Sequence, residues 1–397
     1  MTIQIPLGFR LAGVHAGIKK VAGKEDFTLI HCPGGATAAG VYTQNLVYAA
    51  PVAFDRQRTP SKDIRVVAVN SGNANACTGQ RGLDDAQQMA ELAAAAVGVN
   101  PSQALVMSTG VIGVYLPMDK IAAGANSAAA ALGTDEAAFL SAAKGILTTD
   151  ALHKVVSRVL SLGGREIRLA GMCKGAGMIG PHMATMLGVL LTDAALAPAD
   201  AQSALKAAVD ESFNCISVEG HMSTNDTVLL LASGATSPHP LSGNDVAQFR
   251  AALTELSIEL AKKIPDDGEG ASHLICLRID GCRTREDARR IAQTIANSAL
   301  VKTAIAGGDP NWGRIVSGAG YSGVKFDPAG VDLVINGHKL YERGAPVPFD
   351  AKTVSQAIKA TRDTDIHLKL REGSQGVCFW TSDLTVDYVK FNADYTT

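Results

Sequence analysis

Aromatic residues are scarce: they make up 5% of the 397-residue chain, so a packed interior has to come from aliphatic and small side chains. An excess of charge of either sign is missing too. The formal net charge is -2, and nothing suggests the clustered basic face that a polyanion partner calls for. No apolar run approaches the ~20 residues of a membrane-crossing helix. Residues 1–20 lack a continuous apolar stretch and a small-residue cleavage site, so no secretory signal is expected. The seven cysteines, Cys32, Cys77, Cys173, Cys215, Cys276, Cys282 and Cys378, are odd in number, scattered, and never spaced C-x-x-C. That usage fits free thiols in a reducing compartment better than a disulfide framework. The nine histidines show no metal-ligand spacing, so no metal is expected. Together these absences describe a cytoplasmic protein.

What is present is small and aliphatic. Hydrophobic content is 47%, and glycine reaches 40 residues with no repeat period, which excludes collagen-like and solenoid architectures. Length allows roughly two to three domains on a prior of ~150 residues each. Runs rich in Val, Ile, Leu and Thr, bounded by turn residues, predict strands at Phe27–His31, Pro51–Phe54, Arg65–Asn70, Ala104–Ser108, Thr227–Ala232, His273–Ile279, Asp332–Ile335, Ile366–Leu370 and Gly376–Trp380. A helix is expected from an N-cap at Asp84 to about Val97, with Gly98 as its stop. A second opens at Pro198 and repeats Ala201, Leu205, Val209 and Phe213. A third carries Val246, Phe249, Leu253, Leu256, Leu260 and Ile264 on one face. A fourth spans Arg285–Ser298. Such a mixture predicts a layered α/β (α+β) architecture. The polar turn 265–270 and the charged stretch 281–290 suggest a catalytic unit over 1–280 and a smaller C-terminal α/β domain over 281–397.

The richest local signal is Lys174-Gly175-Ala176-Gly177-Met178-Ile179-Gly180-Pro181-His182-Met183-Ala184-Thr185. Gly175, Gly177 and Gly180 match a dinucleotide fingerprint and follow a possible strand at 167–171, which leaves a dinucleotide-dependent oxidoreductase as one reading. That fingerprint needs a helix opening at the glycines inside a βαβ unit. Here Pro181 and Gly188 interrupt any helix, and 189–192 reads as a buried strand. The plainest reading is a tight turn leading into a buried threonine.

Taken whole, the segment resembles the ornithine acetyltransferase family, bifunctional glutamate N-acetyltransferases of arginine biosynthesis. Other stretches carry the same resemblance along essentially the full chain: 70–79 (Asn-Ser-Gly-Asn-Ala-Asn-Ala-Cys-Thr-Gly), Ser108–Gly113, Ser223–Thr227, Asp267–Gly270, Asn311–Arg314 and Asn392–Tyr395. The resemblance implies an αββα-type sandwich shared with self-processing aminopeptidases. It also implies self-cleavage between Ala184 and Thr185 into an α chain 1–184 and a β chain 185–397, associating as a heterotetramer of two α and two β chains. Thr185 then becomes the nucleophile, and Thr109 (hydroxyl) and Gly110 (backbone N–H) become the oxyanion donors. Lys174, Thr185, Glu269, Asn392 and Thr397 become substrate contacts, the last two bringing the C-terminal tail to the site.

The chemistry follows from residue type. A threonine hydroxyl is a weak nucleophile until its own freed α-amino group acts as the base. That amine has a reference pKa of ~7.7–8.0, so a useful fraction is unprotonated at neutral pH. The acetyl group rides on Thr185, so no bound cofactor is expected, and acetyl-CoA enters only as a possible substrate. An amidohydrolase or aminopeptidase using an N-terminal threonine on a similar fold remains the alternative. The chain departs from the family pattern at three places. Ala151 follows Thr148-Thr149-Asp150 where a substrate-contacting Thr is usual. His182 stands where Asn or Asp is usual, and Glu219-Gly220-His221-Met222 replaces Asp-Gly-Asp-Thr.

Overall fold

A computed structural model of the chain describes residues 3–21, 23–180 and 186–394. In chain order the strands are β1 (Arg10–Val14), β2 (Phe27–Tyr42), β3 (Ser61–Asn70), β4 (Ala104–Ser108), β5 (Lys154–Leu162), β6 (Arg165–Lys174), β7 (Leu187–Thr192), β8 (Ile216–Ser217) and β9 (Thr227–Ala232). They continue with β10 (Leu274–Cys282), β11 (Asp332–Ile335), β12 (His338–Glu342), β13 (Ala345–Pro346), β14 (Asp363–Lys369) and β15 (Gln375–Ser382). The helices are α1 (Ala50–Arg56), α2 (Gly79–Val97), α3 (Met118–Ala130), α4 (Glu136–Gly145), α5 (Pro198–Glu211) and α6 (Asn244–Asp266). They are followed by α7 (Arg285–Ala296), α8 (Ala299–Ala306), α9 (Trp312–Gly320), α10 (Ala351–Lys359) and α11 (Val386–Asp394).

The long strand β2 organises the first sheet. Its first half pairs with β1 and β3, and its second half, from Thr37 to Tyr42, pairs with β9. Between the halves the register with β3 shifts, the mark of a bulge that bends a strand. The sheet runs β4-β3-β2-β9-β7-β6-β5. One buried cluster joins its two wings: Val67, Val69, Leu105 and Met107 on one side, Ala170, Met172, Val189, Leu191, Leu229 and Leu231 on the other. Strand side chains alternate between faces, so the intervening residues point outward. Val66, Ala68, Ala104 and Val106 meet Met89, Ala90 and Ala93 of α2 and Ile121 and Ala125 of α3. Leu169, Leu190, Val228 and Leu230 meet Leu205 and Val209 of α5 and Phe249, Leu253, Leu256 and Leu260 of α6. The layers are helix, strand, strand, helix, which is the αββα sandwich expected. Beyond α6, and within the same apolar cluster, lies a second sheet, ordered β13-β12-β11-β14-β10-β15-β8. Residue 280 falls inside β10, and this sheet also takes β8 from far upstream, so an expected boundary near 280 does not coincide with an edge of it.

Two local expectations are corrected. Pro51–Phe54 is helical, not extended: Ala49 is an extended N-cap and Pro51 sits in the first turn of α1, where its fixed φ suits a helix start and its missing N–H costs nothing. The helix expected from Asp84 starts at Gly79. Asn75 Nδ2 donates to Gly82 O at 2.8 Å, and Thr78 Oγ1 to Asn75 Oδ1 at 2.8 Å, so the asparagine loop holds the first turn in place of a cap. The helix stops at Gly98, φ 71°, as expected of a left-handed C-cap.

Because α6 is buried against both sheets, Leu260→Ala should lower the unfolding free energy by about 2–5 kcal/mol, measured by urea denaturation. A loss below about 1 kcal/mol would mean that α6 is not part of the core.

Candidate active site

The asparagine loop and the end of β4 form one wall of a pocket. Asn73 bridges Thr109 and Val111, and its side chain accepts from Asn75 N at 2.7 Å. Asn75 and Cys77 take positive φ, 47° and 58°, which fits the turn-forming character read from this stretch. Asn225, which follows Ser223 and Thr224 on the approach to β9, donates to Ala74 O at 2.6 Å and Ser108 O at 2.8 Å. One buried amide thus fixes the loop, the strand end and the 223–226 segment together. Gly110 has φ 131°, and a Cβ there would stand 2.5 Å from Gly72 C, so no other residue fits. Its N–H has no acceptor among the described residues.

The opposite wall is charged. Lys174, at the end of β6, is buried, and its Nζ donates to Thr148 Oγ1 at 3.2 Å. Burial lowers its pKa against the attraction of Asp150, Asp226 and Glu269. Beneath it, Lys154 Nζ sits 2.6 Å from both Asp150 Oδ1 and Asp267 Oδ2. Burial alone would depress this ammonium, but the two carboxylates outweigh it and raise its pKa. Asp150 also accepts from Gly175 N at 2.6 Å and Thr148 N at 3.0 Å. Asp267 accepts from Ala151 N and Leu152 N. Two residues on, Glu269 accepts from Asn392 Nδ2 of α11 at 3.0 Å. A Cβ on Gly177 would stand 2.5 Å from the Glu269 carboxylate, so the glycine loop is what lets this acid in.

The result is a cavity of about 100 Å³ whose lining includes Thr109, Gly110, Lys174, Glu269 and Asn392. Five expected site residues from four separate stretches of chain share it, joined by Thr148, Met178 and Ser223–Asn225. Ala151 is not part of the lining; its backbone is tied to Asp267 instead. Ala184, Thr185 and Thr397 lie outside the described residues. Met186, the next residue along the chain from Thr185, donates its N–H to the buried Asp226 at 3.0 Å. The dinucleotide reading fails on topology. β6 and β7, on either side of the glycines, are antiparallel neighbours, whereas that fingerprint belongs to a parallel βαβ unit.

Sequence reasoning missed the Asp150–Lys154–Asp267 triad, since nothing local marks residues 113 apart as partners. It also did not mark Glu219 as a buried acid. Val218 N and Gly220 N both donate to Ile179 O, which places Glu219 beside the glycine loop. Both its carboxyl oxygens are buried and have no side-chain hydrogen-bond partner among the described residues. Burial lifts this carboxyl to about 8, helped by Glu269.

A turn with a free N–H opposite a cation and a carboxylate, in the pocket of an αββα sandwich, has the polar groups that an enzyme acting on amino-acid derivatives needs. Comparison with known proteins narrows the class. The ArgJ family model matches residues 10–397. The chain is 47% identical to the arginine biosynthesis bifunctional protein ArgJ of Rhodopirellula baltica, over 99% of this chain and 96% of that protein. It is 46% identical to that of Symbiobacterium thermophilum, over 100% and 98%. A crystal structure of ArgJ from Bacillus halodurans matches at 38% identity and a TM-score of 0.50, covering 51% of this chain and 96% of that one. The chain belongs to the ArgJ family.

Glu219 gives a pH signature. Its folded pKa lies above its ordinary value, so the unfolded state binds fewer protons than the folded state between about 4.5 and 8. Stability from this group is complete below that window and is lost as pH rises through it. Glu219→Gln should flatten this fall. Melting temperatures from pH 5 to 8.5 should converge at the acid end, with the variant higher at the alkaline end; parallel curves would refute the assignment.

Proposed function

We propose that the chain cuts itself between Ala184 and Thr185, and that Thr185 then carries acetyl from N2-acetyl-L-ornithine to L-glutamate in arginine biosynthesis. The observation that carries this is the gathering of Thr109, Gly110, Lys174, Glu269 and Asn392 around one cavity. A second observation supports the cut. The ArgJ relatives align over nearly their full length, while the crystal-structure chain is 96% covered by only 51% of this one, about half its size.

In the precursor, the Thr185 hydroxyl attacks the Ala184 carbonyl, and an N-to-O shift gives an ester. Hydrolysis frees the α-amine. The mature hydroxyl attacks the acetyl carbonyl of N-acetylornithine, its proton passing through the α-amine to the departing ornithine nitrogen. Thr109 and Gly110 donate to the oxyanion, while Lys174 receives an α-carboxylate and Glu269 an ammonium. Glutamate's amine then attacks the acetyl ester and restores the hydroxyl, a ping-pong sequence. The positioning entropy is small because base and nucleophile share one residue. The acetyl group is carried on Thr185, so no bound cofactor is required, and acetyl-CoA serves as a second donor. Chains 1–184 and 185–397 stay associated and assemble as a heterotetramer in the cytoplasm. Thr397 adds the end of the tail to the substrate contacts, and the residue 151 position contributes no hydroxyl.

Denaturing mass spectrometry should give two fragments, with one acetyl mass added to residues 185–397 on incubation with N-acetylornithine. Thr185→Ala should abolish both. An uncut, fully active protein would overturn the mechanism, and release of free acetate in the presence of glutamate would favour a hydrolase. Thr109→Val should leave the fold intact and lower kcat by about 10²–10³. A change below about fivefold would remove Thr109 from the oxyanion hole.

A further inference from the structure

A second and larger cavity, of about 610 Å³, adjoins the catalytic one and shares Gly110 and Thr148 with it. It lies within the ~300–1,000 Å³ range of ligand pockets. Four lysines, Lys19, Lys20, Lys24 and Lys120, line it, and no carboxylate does. None of the four takes part in an ion pair among the described residues. The remaining wall is largely apolar, with Ile18, Val111, Val114, Tyr115 and Pro117. Val114 and Tyr115 are 50% and 48% exposed, and Arg81 braces the Tyr115 ring 4.0 Å from its centroid.

The groove is built onto the oxyanion turn. A Cβ on Gly72 would stand 2.6 Å from Ile18 Cγ2, and a Cβ on Gly110 would stand 2.5 Å from Gly72 C, so the lysine-bearing loop, the asparagine loop and Gly110 are stacked in close contact. The loop is tied down by Ala16 N and Lys19 N donating to the buried Asp26, by Lys19 Nζ donating to Glu25 O, and by Lys120 Nζ donating to Gly17 O at 2.6 Å. Burial lowers Lys19 to about 8. Lys20 and Lys24 are exposed.

A free amino acid needs neither so large a cavity nor so many cations. A donor whose acyl end is small and whose far end bears several phosphates needs both: a narrow apolar approach for its arm, an aromatic ring for a planar base, and ammonium groups for its phosphates. We propose that this groove binds the tail of a phosphate-bearing acyl thioester, with its carbonyl delivered at Gly110 and its phosphates at Lys20, Lys24 and Lys120. This rests on the acetyl-transfer reading and assigns the second donor its own site beside the first. In the step, the nucleophilic hydroxyl oxygen bonds to the thioester carbonyl carbon and the C–S bond breaks. The hydroxyl proton leaves with sulfur as the free thiol, and the acyl ester passes to the amine of glutamate.

The test uses the full-length, processed protein with acetyl-CoA, N-acetylornithine and coenzyme A as probes. In the double variant Lys20→Glu/Lys24→Glu, the KM for acetyl-CoA should rise about tenfold or more, and coenzyme A should lose binding by a similar factor in titration calorimetry. Acetyl transfer from N-acetylornithine should keep its kcat and KM. An unchanged KM for acetyl-CoA overturns the assignment. So does a parallel loss with both donors, or a wild-type protein that does not bind coenzyme A. A wild-type protein that binds coenzyme A in a lysine-dependent way, yet transfers acetyl from neither donor, upholds the groove and defeats the acetyl-transfer reading alone.

Discussion

The pocket depends on one buried cation. Lys154, 2.6 Å from Asp150 and Asp267, holds together the two carboxylates that tie the 148–152 segment, the start of the glycine loop and the 267–269 turn. A buried charge without partners would cost several kcal/mol, so the triad has to be complete to exist. Once complete, each carboxylate has oxygens left to accept backbone N–H groups: Gly175 and Thr148 at Asp150, Ala151 and Leu152 at Asp267. The wall bearing Lys174 and the turn bearing Glu269 therefore share one anchor. The second wall has its own, in the Asn225 amide between Ala74 and Ser108.

Much of the scaffold was legible from pattern. β4, β9 and β11 have the expected bounds, and α6 follows its apolar face, because in these segments the local periodicity and the tertiary burial agree. The bend in β2 was not legible. Pro33-Gly34-Gly35 reads as a turn, yet the strand continues through it as a bulge, with Gly35 at φ 80° beside Asp63. Nor was the opening of α2, whose first turn is held by residues outside the helix. Both are cases where long-range contacts override a local signal.

The candidate site was legible only as an ordered set of short stretches. Taken singly, Thr109-Gly110 is an ordinary strand end and Glu269 an ordinary turn acid. Their meeting depends on strand order, which no local pattern encodes. Lys174 illustrates the difference: a lysine beside glycines reads as solvated, but β6 carries it into a buried position. The Asp150–Lys154–Asp267 triad and the buried Glu219 lacked any such signature, since their chemistry comes from burial and from groups far away along the chain.

The glycine loop joins two strands that are already zipped together. β6 and β7 pair from Leu169↔Thr192 to Lys174↔Leu187, and β7 is paired on its other edge with β9, itself held by β2. Opening the backbone between them would be like snipping the end of a closed hairpin: the ladder survives, and little native stability is lost. The way back is different. A severed molecule, once unfolded, would have to reassemble by collision of two separate polypeptides, so folding that is first order in the parent chain would become concentration-dependent, and a cut enzyme would be the product of a one-way history.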